Sequence, residues 1–398
     1  MTISPGNSYR PHRIDKASDD FISLPGRRLI QQPLERNRLY DFDYATLILT
    51  CLLVGLGIMT IYSATYTPEN AGWLTAFSRR QCSWFGIGLG VGTLVFVFHY
   101  NYLYHAAYPL YGLSLLLLVA VEVAGSQHMG ATRWLSLGGL NLQPSELVKI
   151  TVILALARYF SNRRLPPPYN LRELLPPLAI VLLPCLFILK QPDLGTALLI
   201  FLISGVVILI VGITRRTLAT IMTAALICGS IGWQFLHDYQ RRRVLTFLDP
   251  ENDPLGSGYH IAQSKIAIGA GKFFGNGFLK GTQNTLHFLP EQHTDFIFAA
   301  YAEQWGFLGC IILLTLYLAF LFRSLNIAME ARDTFGSYLG SGIAAIFFWQ
   351  ITINIGMVSG LMPVVGIPLP LFSYGGTSML TSMILIGMLL NLHFRRKG

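Results

Sequence analysis

Four polar residues lie close together where a long polar segment gives way to an apolar run. The stretch 286–298 reads LHFLPEQHTDFIF and contains Glu291, His293, Thr294 and Asp295. A carboxylate at such a boundary could act as a general base toward a hydroxyl group, or it could bind a divalent cation such as Mg²⁺ or Mn²⁺. The position suits a substrate whose head lies in water and whose tail lies in lipid.

A structural role explains the same residues. The side-chain oxygen of Thr294 or Asp295 could cap the helix that follows, because such oxygens satisfy the free N–H groups at helix starts. His293 and Glu291 could be solvated loop residues. The residues alone leave both interpretations open.

Two ionisable residues inside an apolar segment form a second candidate site. Glu146 and Lys149 are three residues apart, so they share one face of a helix. Ionisable groups within membrane spans are costly, and they usually face a cavity or each other. We expect a functional pair that acts in acid–base chemistry or phosphate binding, and a structural ion pair is the alternative.

An arginine and a tryptophan are adjacent in the stretch GATRWL, which we predict to be an outer loop. Arg133 could bind a diphosphate bidentately, and Trp134 could stack on a sugar. Trp134 could equally belong to the aromatic belt at a membrane surface.

The polar segment 237–295 carries six basic residues. A basic segment beside anionic lipid is expected in any case, but some of these charges, including Lys265 and Lys280, could bind a lipid-linked diphosphate. Within the segment, the run HIAQSKIAI at 260–268 is amphipathic and predicts a helix that lies along the membrane surface.

The composition defines a membrane protein. Of 398 residues, 53% are hydrophobic and only 12% are charged, whereas soluble proteins are about 25% charged. The net charge of +9 comes from basic residues scattered between apolar runs, which does not indicate a nucleic-acid partner. The five cysteines form no CxxC pair, and no nucleotide-binding glycine motif follows a strand, so we expect no organic cofactor.

Ten apolar segments predict an all-α, polytopic membrane protein with about ten transmembrane helices. The segments are 44–64, 82–98, 102–124, 145–160, 174–189, 194–213, 218–236, 296–322, 335–360 and 371–394. We therefore divide the chain into a tail, 1–43, and a membrane domain, 44–398, with one long loop at 237–295.

The distribution of Lys and Arg predicts the orientation. With the N-terminus inside, 18 basic residues lie in the inner segments and four in the short outer loops. Basic residues are enriched in cytoplasmic loops, so we predict that both termini are cytoplasmic and that the long loop is periplasmic.

The segment 363–370, PVVGIPLP, is apolar but contains three prolines and a glycine. It cannot form a regular helix, because proline lacks an N–H donor and clashes with the preceding turn. Irregular backbone at membrane depth is tolerated only against protein or a water-filled cavity. We therefore expect this segment to line a site.

Several motifs together resemble those of the SEDS family, and most closely its rod-shape, cell-elongation branch. They are LDPENDPLGSGYHIAQSKIAIGAG, FLKGTQ, FLPEQHTDFIF, QPSELVK, QPDLGT and NIGMVSGLMPVVGIPLPLFSYGGTS. The resemblance runs from the first predicted span to the last. It implies an inner-membrane glycosyltransferase that polymerises lipid II, using undecaprenyl-pyrophosphate-linked glycan as donor and a class B penicillin-binding protein of the elongation machinery as partner.

The resemblance also implies roles for particular residues. The key aspartate of the family corresponds to Asp295, which would act as the general base of an inverting transfer. Trp134, Glu146 and Lys149 match further family positions. Basic residues of the outer loops, or a metal ion, would stabilise the departing pyrophosphate.

Three alternatives compete with this interpretation. A transporter or lipid II flippase would suit ten spans with charges inside the membrane, but it would need two related halves, which the sequence does not show. A scaffold would leave Asp295 and Lys149 unexplained. A division-type polymerase would suit the long N-terminal tail.

Overall fold

The computed structural model describes residues 42–67, 73–128, 131–137, 140–163, 166–235, 238–249, 256–281 and 292–396. The predicted tail, 1–43, therefore lies outside the described residues except for Phe42 and Asp43. Glu291 also lies outside them.

The described residues contain ten long helices, one for each predicted apolar segment. They are α1 (Tyr44–Ala64), α2 (Ala76–Val97), α3 (Tyr100–Ala124), α4 (Pro144–Ser161), α5 (Leu171–Lys190), α6 (Leu194–Val211), α7 (Arg215–Phe235), α10 (Ile297–Met329), α11 (Thr334–Val358) and α12 (Gly376–Phe394). Eight of them are long and apolar enough to cross a membrane; α2 and α4 are long enough but fall short on composition. The prediction of a polytopic helical membrane protein is confirmed.

Helices α4, α11 and α12 lie at the centre of the bundle. Of the 18 most apolar consecutive residues of each helix, 78% are buried in α11 and in α12, compared with 6% in α7. Helix α4 packs against α3, α5, α6, α11 and α12. This central position explains how an 18-residue helix of moderate hydrophobicity is accommodated, because neighbouring helices rather than lipid surround it.

A small antiparallel sheet replaces the loop that we predicted around Arg133. Strands β1 (Ser126–His128), β2 (Ala131–Leu137) and β3 (Leu140–Leu142) pair in the order β1-β2-β3. The all-α prediction is thus incomplete at this point. Strand β2 contains threonine, tryptophan and leucine, which favour strands, and the two residues before β3 are both glycine, which favours hairpins.

The polar segment 237–295 contains two helices, α8 (Asp238–Leu248) and α9 (Ser257–Ala270). The amphipathic run at 260–268 is therefore helical, as predicted. The helix is docked on the bundle, because α9 packs against α10 and α11 and Ser264 Oγ donates to the carbonyl of Val358 at 2.7 Å. The long connection between α7 and α10 thus contains helical structure of its own.

Helix α10 is broken at Gly306, which has φ 63° and ψ −161°. A break within a membrane helix leaves backbone groups that need partners, since lipid offers none. The turn after α9 supplies them through four hydrogen bonds of 2.9–3.1 Å: Asn276 N to Glu303 O, Gly277 N to Gln304 O, Phe307 N to Lys272 O and Leu308 N to Phe273 O. The turn at 271–277 thus supplies hydrogen-bond partners for the backbone groups that the break in α10 leaves free.

The segment 363–370 is extended and mostly buried between α11 and α12, as its prolines predict. Helix α12 begins at Gly376, later than the predicted start of the last span at residue 371. The residues between form a turn that contains Ser373 and Tyr374. Both residues reach the turn before α10, where Asp295 lies.

Candidate functional site

Asp295 lies in a turn at 292–296 that leads into α10. The N-cap of α10 is Phe296, and it makes no side-chain capping hydrogen bond. Thr294 and Asp295 precede this N-cap position by two residues and one residue, respectively. The Asp295 side chain is partly exposed, which leaves its carboxylate accessible to a ligand.

Three consecutive main-chain carbonyls of this turn each accept a hydrogen bond from residues late in the chain. Tyr374 N donates to His293 O at 2.9 Å, Ser373 Oγ to Thr294 O at 2.7 Å, and Asn354 Nδ2 to Asp295 O at 2.9 Å. The backbone of Asp295 is therefore fixed by groups from α11 and from the turn before α12.

The same side chains also hold the extended segment 363–370. Asn354 Nδ2 donates a second bond to Ile367 O at 2.7 Å, and Leu369 N donates to Ser373 Oγ at 2.8 Å. Asn354 is completely buried. Each of the two side chains thus joins the turn of Asp295 to the proline-rich segment.

Gly366 forms one wall beside the carboxylate. It has φ 75°, a conformation that favours glycine, and a Cβ built there would lie 3.4 Å from Asp295 Oδ2. The carboxylate therefore lies against main chain, as expected for an irregular segment that lines a site.

His293 belongs to an aromatic cluster. Its ring centroid lies 4.5 Å from that of Phe77 and 5.6 Å from that of Tyr374. The neighbouring Gln292 donates to Ala64 O at 2.7 Å. These contacts attach the turn to α1 and α2. They also fix the imidazole of His293, which is two residues before Asp295 in the sequence.

Glu146 and Lys149 form the predicted pair. Lys149 Nζ lies 2.7 Å from Glu146 Oε1, and the side chains are 1% and 8% exposed for Lys149 and Glu146. Glu146 lies in the first turn of α4, where the helix dipole favours a negative charge. Glu146 Oε2 is buried and has no hydrogen-bond partner among the described residues. It can therefore accept a hydrogen bond from a ligand or a water molecule.

The remaining predicted residues lie around these two centres. Arg133 and Trp134 are on β2, which contacts α3 and α4, and Trp134 is half-buried. Lys265 is on α9, and Lys280 follows the turn after α9; both are exposed.

Asn354 and Ser373 were missed by the sequence analysis, as was Gln81. Gln81 Nε2 donates to Ser373 O at 3.0 Å, and its Oε1 accepts from Gly375 N at 3.3 Å. An amide side chain in an apolar helix is a detectable signal, because polar groups within spans usually hydrogen-bond across helices. The signal alone does not reveal which carbonyl is bound.

Within the described part of the chain, no three His, Cys, Asp or Glu residues come close enough to hold a metal ion.

Fold and site together define a polytopic membrane protein with a rigidly held carboxylate at the start of a membrane helix. The chain belongs to the FtsW/RodA/SpoVE family of cell cycle proteins, whose model matches residues 44–398.

Three relatives are similar over most of their length. The peptidoglycan glycosyltransferase MrdB of Escherichia coli K12 is 43% identical, over 91% of this chain and 97% of MrdB. A chain of a solved peptidoglycan synthase complex, described as coordinating polymerization and crosslinking, matches with a TM-score of 0.77 and 34% identity, over 89% of this chain and 98% of that one. The rod shape determining protein RodA of Thermus thermophilus matches with a TM-score of 0.67 and 30% identity, over 90% and 98%.

Proposed function

We propose that this chain is a peptidoglycan glycosyltransferase that polymerises lipid II into glycan strands during cell-wall elongation. Its similarity to MrdB and RodA over nearly their whole length supports the activity and the elongation branch. The observation that carries the proposal is the Asp295 turn, in which three consecutive carbonyls are held from distant parts of the chain.

In the proposed reaction, Asp295 is the general base. Its carboxylate accepts the proton of the 4-hydroxyl of the acceptor lipid II while the hydroxyl oxygen bonds to the anomeric carbon of the donor glycan. The bond from that carbon to the diphosphate oxygen breaks, and undecaprenyl pyrophosphate departs with the electron pair. Attack opposite the leaving group inverts the anomeric centre.

A fixed base increases the reaction rate because reacting groups must be held within a narrow range of distance and angle. A misplacement of about 1 Å can cost roughly a hundredfold in rate. Asn354 and Ser373 supply this positioning for Asp295, since each is bonded to the turn and to the segment 363–370. Gly366 leaves space on the other side of the carboxylate.

Positive charge is needed where the diphosphate departs. Lys265, Lys280 and Arg133 are the proposed sources, and the Glu146–Lys149 pair is proposed to bind the head of a substrate. Trp134 would stack on a sugar, while His293, Thr294 and Glu291 would contact the acceptor. A divalent cation, Mg²⁺ or Mn²⁺, shared by Asp295 and the diphosphate is the alternative to a base role for Asp295.

The setting of the enzyme is part of the proposal. The charge bias supports an orientation in a bacterial inner membrane with both termini in the cytoplasm and segment 237–295 in the periplasm. A class B penicillin-binding protein would cross-link the strands. The similarity to a chain of a synthase complex that coordinates polymerization and crosslinking supports such a partner.

One assay tests the proposal. The purified chain is reconstituted in liposomes with its transpeptidase partner and labelled lipid II. We expect glycan polymer, formed equally well with an antibiotic that blocks the transpeptidase, because glycan synthesis needs no cross-linking. Movement of lipid II across the bilayer without polymer would support the flippase alternative and reject the enzyme.

A further inference from the structure

A cleft between α9, α10 and the end of α11 includes Lys265, one of the proposed sources of positive charge for the departing diphosphate. Its volume is about 390 Å³, within the range of small-molecule sites, roughly 300–1,000 Å³. Lys265 and Lys272 line it from the side of α9, and Phe298, Phe307 and Cys310 line it from α10. Helix α10 is long and apolar enough to span a membrane, and the ring of Phe307 is exposed on it.

The structure builds a place for the side chain of Lys265. It runs across Gly360, where φ is 71°, and a Cβ on that glycine would clash with Lys265 Cε and lie 2.7 Å from Nζ. Helix α9 is fixed at this point by the bond from Ser264 to the carbonyl of Val358. A side chain at position 360 would therefore displace the end of the Lys265 side chain from this path.

Lys272 is fixed through its backbone. Its carbonyl accepts the hydrogen bond of Phe307 N at 2.9 Å, beside the break in α10, and its φ of 48° is unusual for a residue with a side chain. Neither Lys272 nor Lys265 forms an ion pair with any residue in the described ranges. Two positive charges without a counter-ion therefore border a largely apolar cleft.

We propose that this cleft binds the diphosphate and the first isoprene units of the lipid-linked donor. The two lysines bind the diphosphate, and Phe298, Phe307 and Cys310 contact the isoprenoid tail. The inference rests on the proposed function and deepens it, because it locates the leaving group of the reaction.

The position of Phe298 indicates the donor rather than the acceptor. Phe298 is three residues after Asp295, in the first turn of α10. In the donor, the diphosphate is attached to the reacting anomeric carbon itself. In the acceptor, a sugar separates the reacting 4-hydroxyl from the sugar that carries the diphosphate. A cleft this close to the base therefore fits the donor.

Photo-crosslinking tests the site directly. p-Benzoyl-phenylalanine replaces Phe307, or replaces Phe322 as the control; these rings are 55% and 59% exposed on the same helix, and only Phe307 lines the cleft. The probe is radiolabelled undecaprenyl diphosphate added to the full chain in nanodiscs. We expect crosslinking at position 307 and little at 322. Equal crosslinking at both positions would overturn the proposal.

Lysine variants test the role of charge. A Lys near a membrane surface contributes about a fivefold gain in affinity for an anionic lipid. We expect Lys265→Gln or Lys272→Gln to weaken probe binding about fivefold and the double variant about 25-fold. Lys190→Gln, an exposed lysine at the end of α5, is the matched control and should bind normally. Unchanged binding by the double variant would reject the site.

Competitors identify the ligand. Unlabelled undecaprenyl diphosphate should abolish crosslinking, whereas phosphatidylglycerol, undecaprenol and inorganic diphosphate should not. Competition by phosphatidylglycerol would show a general anionic-lipid site, and competition by inorganic diphosphate alone would show a site without a tail subsite. Either result contradicts the proposal.

Failure of this inference can be distinguished from failure of the proposed function. Crosslinking needs no turnover, so Asp295→Asn should retain it while losing polymerisation. If wild-type protein makes polymer but the lysine variants keep their KM for lipid II, only the cleft assignment is wrong. If wild-type protein makes no polymer, the glycosyltransferase proposal fails whatever the crosslinking result.

Discussion

The buried amide of Asn354 lies 2.9 Å from the carbonyl oxygen of Asp295, although the two residues are 59 positions apart in the chain. The same amide binds Ile367 O, so one side chain connects α11, the turn of Asp295 and the extended segment 363–370. Removing the amide would leave the carbonyl oxygens of Asp295 and Ile367 without this hydrogen-bond donor.

We expect Asn354→Ala to slow polymerisation about a hundredfold per folded molecule, because Asp295 would lose its positioning. Asn391→Ala is the control: Asn391 is equally buried and its amide binds main-chain carbonyls, but at the end of α2, away from Asp295. It should lower thermal stability and leave the rate of the folded fraction nearly unchanged. Similar rates for the two variants would argue against positioning.

Asp295→Asn should reduce the rate of polymerisation by about a hundred- to ten-thousand-fold, the usual effect of removing a general base. The variant should insert, fold and bind its transpeptidase partner normally, because the amide has the shape of the carboxylate. The measurement is initial polymerisation rate with labelled lipid II.

Asp333→Asn provides the control for this substitution. Asp333 caps α11 through Gly336 N and accepts from Tyr100 OH at 2.8 Å. Asparagine can keep the cap through its Oδ1, while its Nδ2 can donate to the Tyr100 hydroxyl oxygen. Its rate should stay near that of the wild type. Adding and then chelating Mg²⁺ or Mn²⁺ in the same assay separates the two roles of Asp295, since only a metal-ligand role predicts loss of activity on chelation.

Lys149→Met should destabilise the protein by about 3–5 kcal/mol, because it leaves the buried carboxylate of Glu146 without its partner. The double variant Glu146→Gln, Lys149→Met should be less destabilised than either single variant. Thermal unfolding in detergent measures both. If the double variant regains stability but still makes no polymer, the pair also acts on substrate; if it regains both, the pair is structural.

The pH dependence of stability should include a contribution from Asp43. Burial raises the pKa of this carboxyl, but its bonds to Arg323 and Thr46 and the charge of Arg323 outweigh burial and hold the pKa below the usual value of 3.8. A lowered pKa stabilises the folded state above the ordinary pKa, and this contribution is lost as the pH falls through the folded-state value.

Asp43→Asn should therefore be less stable than wild type at pH 7, with the difference shrinking below about pH 4. Unfolding temperatures measured from about pH 7 to pH 3 test this expectation. A constant difference across that range would show that Asp43 acts through shape and not through its charge.

The features that could be predicted from the sequence depend on residues that are close together in the chain. The boundaries of α1 and the pairing of Glu146 with Lys149 follow from apolar run length and helical spacing. The break at Gly306, the roles of Asn354 and Ser373, and the sheet that holds Trp134 could not be predicted. They depend on contacts between distant parts of the chain, as between Thr294 and Ser373, 79 residues apart.

The wall of Gly366 beside Asp295 has a consequence for antibacterial resistance. A compound that occupies the space between the carboxylate and Gly366 would touch main-chain atoms of this glycine. Replacing Gly366 would impose a strained φ of 75° on any other residue. Substitutions of this glycine that exclude such a compound would therefore also disturb the backbone beside Asp295. We expect few resistance mutations at this position for that reason.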